Sequence, residues 1–176
     1  GEDVGLITGV NCGEIQNCES NGVVFGYERA GGICGSMQDG IIKDCYSSAR
    51  IHGRSASGIC GFDERDPSDS IFKDCTFTGS LYFGIYDGNL IANSDTETLL
   101  QNCTTEDAIV LLNNSKLFEN IELIECDFSV EVYESGYLFE ECTVRDSEID
   151  LTVGVSVDIN EGFETIKSSG STISMM

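Results

Sequence analysis

Nine cysteines, one histidine and several closely set carboxylates are the residues of this 176-residue chain that could do chemistry. Thiols can ligate metal, cycle through disulfides or fill a core. Six of them end a recurring pattern of an apolar residue, a spacer, an acid or amide, and cysteine. The clear copies are Ile15-Gln16-Asn17-Cys18, Ile42-Lys43-Asp44-Cys45, Phe72-Lys73-Asp74-Cys75 and Leu100-Gln101-Asn102-Cys103. Weaker copies end at Cys126 and Cys142, so the spacings are 27, 30, 28, 23 and 16. No Cys-x-x-Cys pair occurs, and a single histidine, His52, makes a multi-histidine metal site or a His-dependent catalytic triad hard to build. Full disulfide pairing would leave one thiol over. These thiols therefore read as reduced, buried and structural, with Cys12 the exposed exception.

The carboxylates suggest a different chemistry. Glycoside hydrolysis needs two acids about 5–10 Å apart, and a lyase needs calcium-binding acids beside a basic side chain. Asp63 and Asp66 with Arg65, or Asp44 and Asp74 with Lys73, supply those types. Asn17 and Asn102 fill the same place as Asp44 and Asp74, however, and a catalytic pair does not tolerate amides. These four read as a turn ladder, because Asn and Asp bond nearby backbone and accept left-handed dihedrals. The acidic stretch 62–69 holds the only proline and could offer oxygens to Ca²⁺, but a solvated loop bulging from the coil is the preferred reading. Asp158-Ile159-Asn160-Glu161-Gly162 opens like a calcium loop and lacks its remaining ligands. Tyr82 and Tyr86, flanking Phe83, are candidates for a sugar-stacking surface, with Asp63 and Asp66 as further surface candidates.

The elements that must position these groups follow from a second motif. Val4-Gly5-Leu6-Ile7-Thr8-Gly9, Gly31-Gly32-Ile33-Cys34-Gly35 and Ser57-Gly58-Ile59-Cys60-Gly61 repeat at 27 and 26 when aligned on Gly5, Gly32 and Gly58. Each unit is rich in Ile, Val, Phe, Thr and Cys, with turn residues between short runs, and none shows a helical period. A unit of this size with several short strands is one coil of a parallel β-solenoid, rising about 4.8 Å per coil. Equivalent residues then stack along the axis. Cys18, Cys45, Cys75, Cys103, Cys126 and Cys142 form one inward row. Cys34 and Cys60 form a second, which Thr8 begins. The expected organisation is coils of 26–30 residues over 1–126, followed over 127–176 by decayed coils or a β cap.

The chain carries 31 acids and 9 bases, a net charge of −22, which argues against nucleic acid or an anionic membrane as partner. No apolar run approaches the roughly 20 residues that span a bilayer. No signal peptide opens the chain, which starts mid-pattern like an excised domain, so export of a parent protein cannot be judged from this end. Residues 1–60 are net −3, 61–126 net −10 and 127–176 net −9.

Gly31-Gly32-Ile33-Cys34-Gly35, Gly40-Ile41-Ile42-Lys43-Asp44-Cys45-Tyr46-Ser47 and Ile51-His52-Gly53 together resemble a GLUG repeat. The copy from Val4 to Gly26 is similar, and the third matches in its first half before an insertion. The resemblance is good over about 4–80 and poor beyond about 105. It implies a right-handed parallel β-helix in a bacterial surface or secreted protein. Such repeats occur in adhesin-like proteins and beside the peptidase domains of some immunoglobulin A1-cleaving metallopeptidases. The family brings no catalytic residues, and the zinc-peptidase motif His-Glu-x-x-His is absent here. The expected role is a non-catalytic adhesion or spacer module without a cofactor, meeting a host glycan or protein, or other domains of a parent protein, through its faces. A parallel β-helix polysaccharide lyase or glycosidase is the alternative.

Overall fold

The computed structural model describes residues 1–38, 40–63, 70–83, 91–94, 98–111, 116–119, 121–133, 137–140, 142–153, 163–164 and 167–175. The fold is all-β, with no helix among the described residues, and its parallel sheets stack as a β-solenoid. The first coil holds β1 (Asp3–Gly5), β2 (Thr8–Asn11), β3 (Glu14–Gln16), β4 (Glu19–Ser20) and β5 (Val23–Phe25). The second repeats it with β6 (Arg29–Gly31), β7 (Cys34–Met37), β8 (Gly40–Lys43), β9 (Tyr46–Ser47) and β10 (Arg50–Gly53). The third has β11 (Ser55–Ser57), β12 (Cys60–Asp63), β13 (Ser70–Lys73), β14 (Thr76–Phe77) and β15 (Ser80–Phe83). Later coils are simpler. The fourth has β16 (Ala92–Ser94), β17 (Thr98–Gln101) and β18 (Thr104–Leu111), and the fifth β19 (Lys116–Glu119), β20 (Ile121–Ile124) and β21 (Asp127–Tyr133). The sixth has β22 (Tyr137–Glu140), β23 (Thr143–Arg145) and β24 (Glu148–Val153), and the seventh β25 (Phe163–Glu164), β26 (Lys167–Ser169) and β27 (Thr172–Met175).

One sheet stacks β3, β8, β13, β17, β20, β23 and β26; another stacks β4, β9, β14, β18, β21, β24 and β27, with β5, β10 and β15 beside them. Residues 127–175 thus supply further strands to the same sheets. The register aligns Glu19, Tyr46, Thr76, Thr104, Asp127, Glu148 and Thr172, giving intervals of 27, 30, 28, 23, 21 and 24 residues. Coils shorten because a corner is lost. β4 and β5 are separate strands, whereas β18 runs through with a bulge between Thr105 and Ala108 and pairs with the continuous β21.

Strand alternation sends every second side chain inward. Ile15, Ile42, Phe72, Leu100, Leu123 and Val144 form one interior column. Ser20, Ser47, Phe77, Thr105, Phe128, Ile149 and Ile173 form another, in which small residues face large ones. Phe72, Phe77 and Phe128 are fully buried, each contributing about 1.5–3 kcal/mol by area transfer.

The turn before each inward corner is left-handed at Asn17, Asp44, Asp74, Asn102, Glu125 and Asp146, with φ of 54°, 51°, 51°, 55°, 53° and 49°. Gly170, at φ 65°, occupies the same place in the seventh coil. Asn102 Nδ2 donates to Asp74 Oδ1 at 2.9 Å, tying neighbouring turns together. The glycine motif aligns one residue differently from the sequence reading: Gly5 pairs with Gly31 and Gly31 with Ser57, so this interval is 26 twice. The first glycine of the Gly-Gly pair holds the position because a Cβ there would lie 2.0 Å from the Cys34 carbonyl oxygen.

Glu125 is the poorest of these residues for a left-handed turn, since its side chain cannot close a short bond to its own backbone. Its side chain is exposed. Glu125→Asn is expected to raise the unfolding free energy by about 0.5–1 kcal/mol with an unchanged denaturant slope. A lower urea midpoint would refute the argument.

Candidate functional site

The thiols are the most numerous reactive groups, and the register shows how they are held. Cys18, Cys45, Cys75, Cys103 and Cys126 each follow a left-handed turn residue, so their side chains enter the same corner on successive coils. Each Sγ lies 3.2–3.5 Å from the carbonyl oxygen two residues back. From Cys45 on, each also lies 3.5–3.9 Å from a carbonyl of the preceding coil. Cys142 is not in this row. It immediately precedes Thr143, which pairs with Glu122, so the sixth rung after Asp146 is Ser147. The acids before Cys142 imitate the motif, but the chain turns five residues later. Ser147 Oγ donates to the Arg145 carbonyl at 2.7 Å, the bond the thiols make, and accepts from the Cys126 N–H at 3.0 Å. Cys142 is buried elsewhere in the core. Cys34 pairs with Cys60, and Thr8 with Cys34, in the second row.

The thiolate is disfavoured at Cys45, Cys103 and Cys126, whereas the hydrogen bond with Cys103 lowers Cys75. Burial pushes Cys45 and Cys126 up to about 11. A hydrogen bond with Cys75, then burial, holds Cys103 well above the ordinary thiol range. All nine are unbridged. Among the described residues, no three Cys, His, Asp or Glu side chains converge to hold a metal ion.

The outward face of β5, β10, β15, β18 and β21 differs from the acidic exterior. Phe25 pairs with His52, His52 with Tyr82, Tyr82 with Leu111, and Leu111 with Tyr133. This column is apolar or aromatic at every rung. Phe25 and His52 stack with ring centroids 4.7 Å apart, and His52 and Tyr82 at 4.2 Å with planes within 3°. Ring faces inside the stack are therefore covered, and the column presents its edges outward. Phe25 is the first ring of the stack in chain order, on β5, which pairs with β10. The flanking column is Val23, Arg50, Ser80, Ile109 and Glu131. Tyr133 extends the aromatic line, its hydroxyl donating to Glu131 at 2.9 Å.

Tyr82, expected on a sugar-stacking patch, is thus half-buried in a ring stack, with one face against His52. Tyr86 and Asp66 lie outside the described residues. Asp63 ends β12, its backbone in register with Met37 and Ser94. Asp44 and Asp74 occupy the left-handed turns with Asn17 and Asn102. A separate groove of about 320 Å³ is lined by Glu28, Arg29, Arg54, Ser55 and Phe62. Arg29 caps the Phe62 ring at 4.9 Å and pairs with Asp3 at 3.2 Å, while Arg54 lies 3.7 Å from Glu28. The groove's charges are therefore already partnered.

No family model, curated protein or solved structure matches the chain.

Two outcomes follow from the thiols and the ring stack. Under native conditions a thiol reagent is expected to titrate Cys12 rapidly and the half-exposed Cys18 more slowly, with the rest appearing only in denaturant. Rapid native reaction of four or more would contradict the buried rows. Burial lowers the pKa of His52, so folding favours its neutral form. Its contribution is complete above the ordinary value of about 6.5 and lost as pH falls below it. His52→Phe is therefore expected to lose less thermal stability than the parent between about pH 7.5 and about pH 5.5, roughly one unit either side of the ordinary value. Equal losses would show that His52 does not titrate within the stack.

Proposed function

We propose that this chain is a non-catalytic binding module, an adhesion or spacer segment at a bacterial surface or in a secreted protein. Its ligand, a glycan or protein, meets the outward face of β5, β10, β15, β18 and β21. The observation that carries this reading is the Phe25, His52, Tyr82, Leu111, Tyr133 column. Exposed aromatic and aliphatic side chains grouped on one face mark interaction surfaces. Aromatic contacts lose little conformational entropy on binding, and rings packed against each other are already ordered. The column repeats at the inter-strand distance of about 4.8 Å, so an extended ligand lying along the axis would meet equivalent contacts from coil to coil. The resemblance to GLUG repeats points to the same kind of role.

The test is a screen of immobilised glycans and matrix proteins with the chain and its Tyr82→Ala/Tyr133→Ala variant. Binding that weakens at least about tenfold in the variant, ~1.4 kcal/mol, supports the reading. Undiminished binding would move the site off this face. Calcium-dependent cleavage of an acidic polysaccharide by the chain would replace a binding role with catalysis.

A further inference from the structure

We infer, on the basis of that binding reading, that the outward face of β10 and β15 selects a glycan bearing a carboxylate. Arg50 takes the carboxylate, and His52, Ser80 and Tyr82 take neighbouring sugar hydroxyls. Arg50 lies on β10 in register with Ser80 on β15, and the next outward pair is His52 and Tyr82. β10 is flanked by β5 and β15, and β15 by β10 and β18, so the patch sits on strands with a neighbour on each side.

Arg50 is exposed. Among the described residues its guanidinium has no ion pair and no hydrogen bond, whereas Arg29, Lys43, Arg54 and Arg145 each have a carboxylate within 3.7 Å. Its column runs Val23, Arg50, Ser80, Ile109 and Glu131. The first carboxylate along that column is thus three coils away, about 14 Å at the usual inter-strand spacing. In a chain with 31 acids, a guanidinium left without one is a ready partner for an anion, and its planar fork matches a carboxylate in bidentate fashion. The net charge of −22 opposes an anion at long range. Salt screens that field beyond about 8 Å, and a carboxylate touching Arg50 lies inside that distance.

Beside Arg50 lies unused hydrogen-bonding capacity. His52, Ser80 and Tyr82 are partly exposed, and among the described residues their side-chain polar atoms have no hydrogen-bond partner. Burial lowers the pKa of His52, so near neutral pH its ring carries one donor and one acceptor. The hydroxyls of Ser80 and Tyr82 each donate and accept. Sugar hydroxyls do both as well, so this set complements a sugar whose carboxylate is held by Arg50. The His52 and Tyr82 rings, 4.2 Å apart with planes within 3°, add a fixed apolar edge for the sugar's C–H groups. A peptide fits less well. An extended peptide gains affinity on a sheet by adding a strand to an exposed edge, and β10 and β15 are already paired on both sides.

The experiment titrates the full chain with oligosaccharides containing galacturonic, glucuronic or sialic acid, each beside a counterpart whose carboxylate is reduced to a primary alcohol. At least one acidic oligosaccharide is expected to bind at least about tenfold more tightly than its reduced counterpart. Arg50→Gln should bring the two within about twofold of each other. Arg50→Lys, which keeps the charge and loses the fork, should fall between. Arg145→Gln, on a different sheet, removes the same charge and should leave the preference intact. Circular dichroism like the parent's would show that the variants fold. Equal binding of acidic and reduced sugars, or a preference that survives Arg50→Gln, would overturn the carboxylate assignment. If that equal binding still weakens in Tyr82→Ala/Tyr133→Ala, the binding-module reading stands without it. Failure of every oligosaccharide to bind would also overturn the assignment, and capture of a matrix protein on this face would then keep the broader reading alone.

Discussion

The parallel backbone ladder between coils governs everything else in this molecule. Once Ile15 pairs with Ile42 and Ile42 with Phe72, each residue must sit on its equivalent in the next coil. Whatever a position demands is then demanded repeatedly at one inter-strand spacing. A corner that needs a left-handed residue needs one in every coil. A corner too narrow for a large side chain is narrow throughout the stack. The hydrogen bonds that hold the coils together thus impose a repeated chemistry on a sequence otherwise free to drift.

Interior and exterior meet that demand differently. Inside, the repeat can drift if volume is shared across the column, as where Ser47 lies between Ser20 and Phe77 and Thr105 between Phe77 and Phe128. Close packing tolerates such trade-offs when the total volume is kept. Outside, stacking sets like charge upon like charge. Lys43 lies in register with Lys73, and the Glu14 carboxylate 2.6 Å from Lys43 Nζ offsets that repulsion and raises the pKa of Lys43. Where the outward residues are rings, the same stacking becomes favourable contact. It also turns ring faces inward along the axis, so the Phe25, His52 and Tyr82 column differs from an open sugar platform.

The coil and its turns were legible because they rest on local chemistry that must recur. Asn17, Asp44, Asp74 and Asn102 announced a left-handed turn by residue type, and their φ angles agree. The lower coils were less legible because their turns use Glu125 and Asp146, and the rung after Asp146 carries Ser147 in place of cysteine. There the motif's thiol, Cys142, falls outside the row, because the backbone needs only a small polar side chain able to bond two residues back, as Ser147 does. The Phe25, His52, Tyr82 column was missed for another reason. No local motif links those residues; only register does. The signal was nevertheless present, since the intervals from Phe25 to His52 and His52 to Tyr82 are 27 and 30, the same as from Cys18 to Cys45 and Cys45 to Cys75.

That coincidence of intervals bears on where function resides in such a fold. A residue repeated in phase with the cysteines answers to the backbone, and its role is architectural unless it points outward. The thiols of the corner row point inward, and burial pushes Cys45 and Cys126 up to about 11. A side chain of that kind neither attacks nor ligates readily near neutral pH. The outward columns are free of the packing constraint, so their composition carries information the core does not. An aromatic and aliphatic column on a chain of net charge −22 departs from what solubility and protection from edge pairing require. Its register persists over five coils, with Glu131 the acid that flanks it and accepts a hydrogen bond from Tyr133.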